Sequence, residues 1–280
     1  MTKNAVLTGA YLDHLAYESS DPKRLAEFHS AAMDMNSLRI SDKEWRCSGP
    51  ERRIIVLAGT DRKLAYAGFT CLDADNLQEF HKYACDNGVE IQENPSPWLC
   101  GNAFAVVDPD GNKVCFGLNS GEKILQTGLR GRLQHLTFAT FDPDALVSFY
   151  HEKLGFRVTD RVFDEDGNLT GCFMTSTHEH HTIACFKSNR QGIDHHCHEV
   201  IEWDTIRDWC DHFAGQHIKL VWGPGRHGPG NNLFAFIEDP DGNMIEVSAE
   251  LEMVHDRQVK DWIQEPRTLN LWGWAINRTP

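Results

Sequence analysis

Short stretches in which apolar and polar residues alternate recur along the whole chain, and this period of two predicts strands. In the C-terminal half it predicts strands at Leu133–Ala139, Arg157–Phe163, Leu169–Thr175, His181–Phe186 and His195–Glu202, with a final pair at Leu233–Glu238 and Met244–Ala249. Helices are expected over Pro143–Leu154, opened by Asp142-Pro143, and over Thr205–Ala214. Between the last two strands, Pro240-Asp241-Gly242-Asn243 supplies proline and glycine at turn positions. A charged stretch after Glu250 reads as helix to about Gln264, stopped by Pro266. Beyond it, a tail with Trp272 and Trp274 is too aromatic for solvated coil and is expected to dock on the body of the protein.

The same order of elements occurs twice. Leu12-Asp13-His14-Leu15 is echoed 121 residues later by Leu133-Gln134-His135-Leu136. At the same offset Asp21-Pro22 matches Asp142-Pro143, and Phe28-His29 matches Phe149-Tyr150. Asp108-Pro109-Asp110-Gly111-Asn112 recurs at Asp239-Pro240-Asp241-Gly242-Asn243, offset by 131, so the second copy carries a net insertion of ten residues. The polar, glycine-containing stretch Asn119–Gly131 reads as the linker. The expected organisation is α+β with mixed sheets: residues 1–125 as an N-terminal scaffold domain, and 126–280 as a metal-binding catalytic domain with a helical and aromatic tail.

Composition narrows the function. With 280 residues, 41% hydrophobic and 24% charged, the chain can bury a sizeable core. A net charge of −14 argues against nucleic acid or anionic membranes as partners. Nine cysteines without a C-x-x-C pair, and no apolar run of about 18 residues, suggest a reduced, cytoplasmic protein without disulfides. Fifteen histidines raise the expectation of a metal or proton-transfer site.

Two histidines and a carboxylate on one face can hold a ferrous ion and leave neighbouring positions open. The second copy offers His135, His195 and Glu246 on three separate strands, where strand geometry can make them converge. Alternation turns His196 to the opposite face from His195, and His178 and His180 read as exposed hairpin residues. The first copy keeps His14 but has Cys115 at the place of Glu246 and no histidine in Lys63–Cys71, so it looks scaffold-only.

From Leu12 to Glu250 the chain resembles the type I extradiol ring-cleaving dioxygenases of the vicinal oxygen chelate superfamily. The resemblance rests on Gln134-His135-Leu136-Thr137-Phe138, Phe149-Tyr150-His151-Glu152-Lys153-Leu154-Gly155-Phe156, Gly225-Arg226-His227-Gly228-Pro229-Gly230 and Asp239 to Glu246. It implies two tandem domains of paired βαβββ modules, with a metal held by His135, His195 and Glu246. It further implies that His181 is an acid/base residue and that His227 orients the substrate. A tyrosine usual in that family ten residues before the carboxylate is here Phe236, a substrate-contacting position without a phenol.

The expected function is a ferrous dioxygenase, with Mn(II) as the other candidate cation, that inserts both atoms of O2 into an aromatic vicinal diol. Trp222, Phe234 and the tail are expected to help wall an apolar pocket. The competing readings are a non-oxidative metal-dependent isomerase or lyase of the same superfamily and an aromatic-ligand-binding protein. Self-association into a homo-oligomer is also expected.

Overall fold

The computed structural model describes residues 3–122 and 128–276. The expected domain boundary at 125/126 lies outside the described residues. The first copy runs β1 (Tyr11–Ser19), α1 (Pro22–Ala32), β2 (Asn36–Ser41), β3 (Glu44–Gly49), β4 (Arg52–Ala58), then β5 (Lys63–Thr70), α2 (Ala74–Asp86), β6 (Gln92–Glu93), β7 (Leu99–Val107) and β8 (Lys113–Asn119). These are two successive βαβββ modules. The second copy repeats them: β9 (Arg132–Thr140), α3 (Pro143–Val147), β10 (Arg157–Phe163), β11 (Leu169–Thr175), β12 (Ile183–Lys187), then β13 (Gly192–Glu199), α4 (Trp203–Gly215), β14 (Trp222–Arg226), β15 (Leu233–Glu238) and β16 (Met244–Ala249). A short strand β17 (Lys260–Ile263) and helix α5 (Pro266–Leu269) follow.

Each copy forms one mixed sheet in which the modules meet through their first strands. The orders are β2-β3-β4-β1-β5-β8-β7-β6 and β14-β15-β16-β13-β9-β12-β11-β10-β17. The fold is therefore the α+β architecture of paired βαβββ modules in two mixed-sheet units. The repeated motifs explain themselves locally. Asp21 and Asp142 accept from the backbone N–H of Arg24 and Ala145, with proline at the first helical turn. In the Asp-Pro-Asp-Gly-Asn turn Asp239 Oδ1 accepts from Asp241 N at 2.9 Å and Asn243 N at 2.8 Å, and Asp108 does the same in the first copy.

The two sheets share one apolar core, from Leu12, Phe69 and Phe116 to Leu136, Phe138 and Phe156. Polar contacts cross it reciprocally: Tyr150 donates to Asp108 Oδ2 at 3.0 Å, and Arg24 pairs with Asp241, so each copy's turn docks on the other copy's first helix segment. Among the described residues no helix is long and apolar enough to cross a membrane.

Some expectations need correcting. The stretch after Glu250 is not a helix: Val254 N bonds His178 O, Arg157 holds the carbonyls of Val254 and His255, and β17 pairs in parallel with β10. Pairing to an open sheet edge outweighs the helix preference of the charged residues. The helix expected to Leu154 becomes a π-helical turn over Ser148–Lys153. His195 lies within β13 rather than at its start, and His181 precedes β12.

Candidate metal centre

The central strands β9 and β13 and the adjacent β16 carry the three expected ligands. Cys197 faces His135 across β9–β13 and Glu246 across β13–β16, so the register alone sets these side chains on one face. His195, two residues before Cys197, shares that face. The three polar ends converge in a near-equilateral triangle. His135 Nε2 and His195 Nε2 are 3.4 Å apart, and each is 3.3 Å from Glu246 Oε2. All three residues are buried.

Neighbouring acceptors fix the tautomers. His135 Nδ1 lies 2.5 Å from Gln134 Oε1, and His195 Nδ1 lies 2.6 Å from Asp194 Oδ1. An oxygen that only accepts requires Nδ1 to carry the proton, which leaves both Nε2 atoms bare. Burial pushes His135 down to about 4, against the pull of Glu246, so it is neutral at pH 7. Asn232 donates to Glu246 Oε1 at 3.2 Å and favours the ionised carboxylate. Two lone pairs and a carboxylate thus point at one another in a buried space, an arrangement that repels unless a cation sits between them. Metal–ligand bonds of about 2.0–2.2 Å place donors roughly 3.0–3.4 Å apart, so the spacing fits a divalent ion. Thr137 Oγ1 also lies 3.1 Å from His195 Nε2.

An open cavity lies over this triangle. His181 and His227 line it beside the three donors. The His181 ring is 4.2 Å from that of His135, and its Nδ1 is 2.9 Å from His180 Nδ1. Burial pushes His181 well below its ordinary value, helped by His135 and His180, so it is a neutral base rather than a standing cation. His227 donates from Nδ1 to the Leu269 carbonyl at 2.5 Å, stacks on Phe234 at 3.9 Å and holds Nε2 3.5 Å from Glu246 Oε1. Val162, Phe173 and Phe186 form an apolar side, and Leu269 and Ile276 of the C-terminal segment close another. The tail is docked through its main chain, with Trp222 Nε1 donating to the Trp274 carbonyl at 2.9 Å, and Ile276 walls the cavity, but the Trp272 and Trp274 rings that suggested docking are exposed.

Phe236 is brought to the site but not to the cavity lining. Its ring meets His195 edge-on at 5.3 Å and stacks with Trp222, also at 5.3 Å. Trp222 and Phe234, expected as pocket walls, instead pack with Phe236 behind the lining, where β14 and β15 pair. His178 is exposed, but His180 is fully buried, against the reading of both as hairpin surface, because it packs between His181, Phe173 and Asp160. His196 does turn to the opposite face, where Tyr17 O–H meets its Nδ1 at 2.7 Å.

Four contributors were missed from the sequence. Cys197, His135 and Glu246 each place one ligand atom within 4.8 Å of the other two. Burial raises the Cys197 thiol well above its usual range in the absence of an ion. Asn232 donates to Glu246 Oε1 at 3.2 Å and to Ser248 Oγ at 2.8 Å. Gln134 and Asp194 orient the imidazoles. Alternation along β13 pointed to Cys197, and an acceptor immediately before each histidine marked Gln134 and Asp194.

Residues 132–247 match the model of the Glyoxalase/Bleomycin resistance protein/Dioxygenase superfamily. The chain has the fold of the vicinal oxygen chelate (glyoxalase/extradiol dioxygenase) superfamily. An iron-dependent extradiol dioxygenase of Rhodococcus jostii is 25% identical over 291 residues, covering 94% of this chain and 95% of the relative. Among solved structures, homoprotocatechuate 2,3-dioxygenase of Brevibacterium fuscum with 3,4-dihydroxyphenylacetate superposes with a TM-score of 0.80 at 21% identity, over 94% of this chain and 88% of the other. The Mn(II)-bound glyoxalase of Novosphingobium aromaticivorans does so with a TM-score of 0.80 at 18% identity, over 96% and 93%.

Proposed function

We propose that this protein is an Fe(II)-dependent extradiol dioxygenase acting on an aromatic vicinal diol. The observation that carries the reading is the triangle of bare donors formed by His135, His195 and Glu246, open on one side to a cavity with two further histidines. A ferrous ion in that triangle would bind both oxygens of the diol and O2 and supply the electronic path between them. The chain's own residues do the rest. Val162, Phe173 and Phe186 exclude water and grip the ring. His181, neutral and hydrogen-bonded through Nδ1, accepts a proton at Nε2 and returns it to oxygen during ring opening. His227, fixed by the Leu269 carbonyl, offers Nε2 to a substrate oxygen.

Two observations favour a second reading, a non-oxidative isomerase or lyase in which the cation only polarises an oxygen. Phe236 has no hydroxyl to share with a substrate oxygen, and the fold equally matches a Mn(II)-bound glyoxalase. Oxygen uptake after anaerobic restoration of Fe(II) separates the two. Stoichiometric uptake with a panel of substituted catechols, accompanied by a yellow product, is expected. Tight diol binding without uptake would overturn the dioxygenase reading.

A further inference from the structure

Behind His181 lies a buried chain of groups for which the proposed chemistry has no part so far. His180 Nδ1 sits 2.9 Å from His181 Nδ1, and His180 Nε2 sits 3.2 Å from Asp160 Oδ1, bent off the ring N–H direction. Both His180 and Asp160 are fully buried. Asp160 is held from two sides: Arg257 Nη2 donates to Oδ1 at 2.7 Å and Trp262 Nε1 donates to Oδ2 at 2.6 Å. Arg257 is itself clamped by Glu252, at 2.8 and 2.9 Å. The Phe173 ring packs against both, its centroid 5.3 Å from that of His180 and 5.0 Å from that of His181.

Proton positions follow from donor and acceptor rules. His180 Nε2 makes no aligned hydrogen bond, but a bare lone pair 3.2 Å from the Asp160 carboxylate would be repelled, so His180 carries its proton on Nε2. Its Nδ1 is then a bare acceptor, which makes His181 Nδ1 the donor and leaves His181 Nε2 bare. Resting on the function proposed above, we infer that His180 is a positioning residue: backed by Asp160, it fixes the ring and tautomer of His181 so that Nε2 faces substrate as a proton acceptor. Arg257 and Trp262 belong to the C-terminal segment, so the same segment that walls the cavity also fastens this relay. No covalent or redox step is added, because the relay sets which nitrogen is available and transfers nothing itself.

Two measurements test this on the full chain. In the 15N-labelled protein loaded with diamagnetic Zn(II), long-range 1H–15N spectra should show His181 protonated on Nδ1 and His180 on Nε2, and Asp160→Asn should shift His181 toward the other tautomer. A His181 protonated on Nε2 in the unaltered protein would overturn the inference. With Fe(II), His180→Phe should lower kcat at least about tenfold while metal content stays constant and KM stays within about twofold. Unchanged kcat would also overturn it. Absence of oxygen uptake by the unaltered protein would instead sink the proposed function, and the tautomer spectra would still decide the relay.

Discussion

The two copies of the repeat place different chemistry at matched positions of the same sheet. In the second copy the register brings together His135, His195, Cys197 and Glu246. In the first, His14 pairs with Gly68, Gly68 with Cys115, and Ala16 with Tyr66, so the matched residues are His14, Tyr66, Gly68 and Cys115. The missing side chain at Gly68 lets the His14 ring settle into the sheet: a Cβ there would lie 2.1 Å from His14 Cε1. His14 spends both nitrogens internally, Nδ1 on Asp13 at 2.7 Å and Nε2 on Ser96 at 2.7 Å. Burial pushes Cys115 up to about 12 and raises Tyr66, so neither offers an anion. Trp98 fills the remaining space, edge-on to His14 at 5.3 Å. A metal centre on this scaffold thus needs bare donors and an empty volume together, and the first copy has exchanged both for packing.

Five substitutions break or sharpen that contrast. The largest effect is expected at His195→Ala, which opens the donor triangle and should cut oxygen uptake at least about hundredfold, whereas Tyr66→Ala in the first copy should leave uptake per folded molecule unchanged. Next comes the other mismatch between copies. Tyr150 gives its hydroxyl to Asp108, but the matched His29 is buried with neither nitrogen partnered among the described residues, and burial lowers it to about 4. Unfolding restores the ordinary value near 6.5, so between these limits the unfolded chain binds the extra proton. Stability from this residue is complete above pH 6.5 and is lost as pH falls toward 4, by up to about 3 kcal/mol. Urea unfolding of His29→Phe should show a correspondingly flatter acid limb.

Gly68→Ala should cost about 2 kcal/mol in the same assay, because its methyl group would need the volume held by His14. The smallest effect belongs to the matched Cys197. Cys197→Ala should cost about 1 kcal/mol of stability and leave metal content unchanged, since His135, His195 and Glu246 already supply three converging donors; metal loss in that variant would make Cys197 part of the centre.

Most of the scaffold was legible because period-two alternation and the repeated Asp-Pro and Asp-Pro-Asp-Gly motifs act locally. Strands at Arg157–Phe163, Leu169–Thr175, Leu233–Glu238 and Met244–Ala249 occur with the expected bounds. The convergence of His135, His195 and Glu246 could be expected because a sheet fixes which way side chains face. What failed depends on distant partners. The segment after Glu250 has a helical composition, and only the free edge of β10 makes part of it a strand. His180 looks like hairpin surface until Asp160 and Phe173 close around it. The retreat of Phe236 behind the lining depends on Trp222 and Phe234, which the sequence does not show to be its neighbours.

The claim that one copy alone holds a cation is tested most directly by counting metal per chain. After anaerobic loading with Fe(II) and removal of excess, elemental analysis should give one ion per polypeptide in the unaltered protein. It should give none when His135, His195 or Glu246 is replaced by alanine, and one when His14 is. Two ions per chain, or an ion that survives loss of His195, would contradict the account.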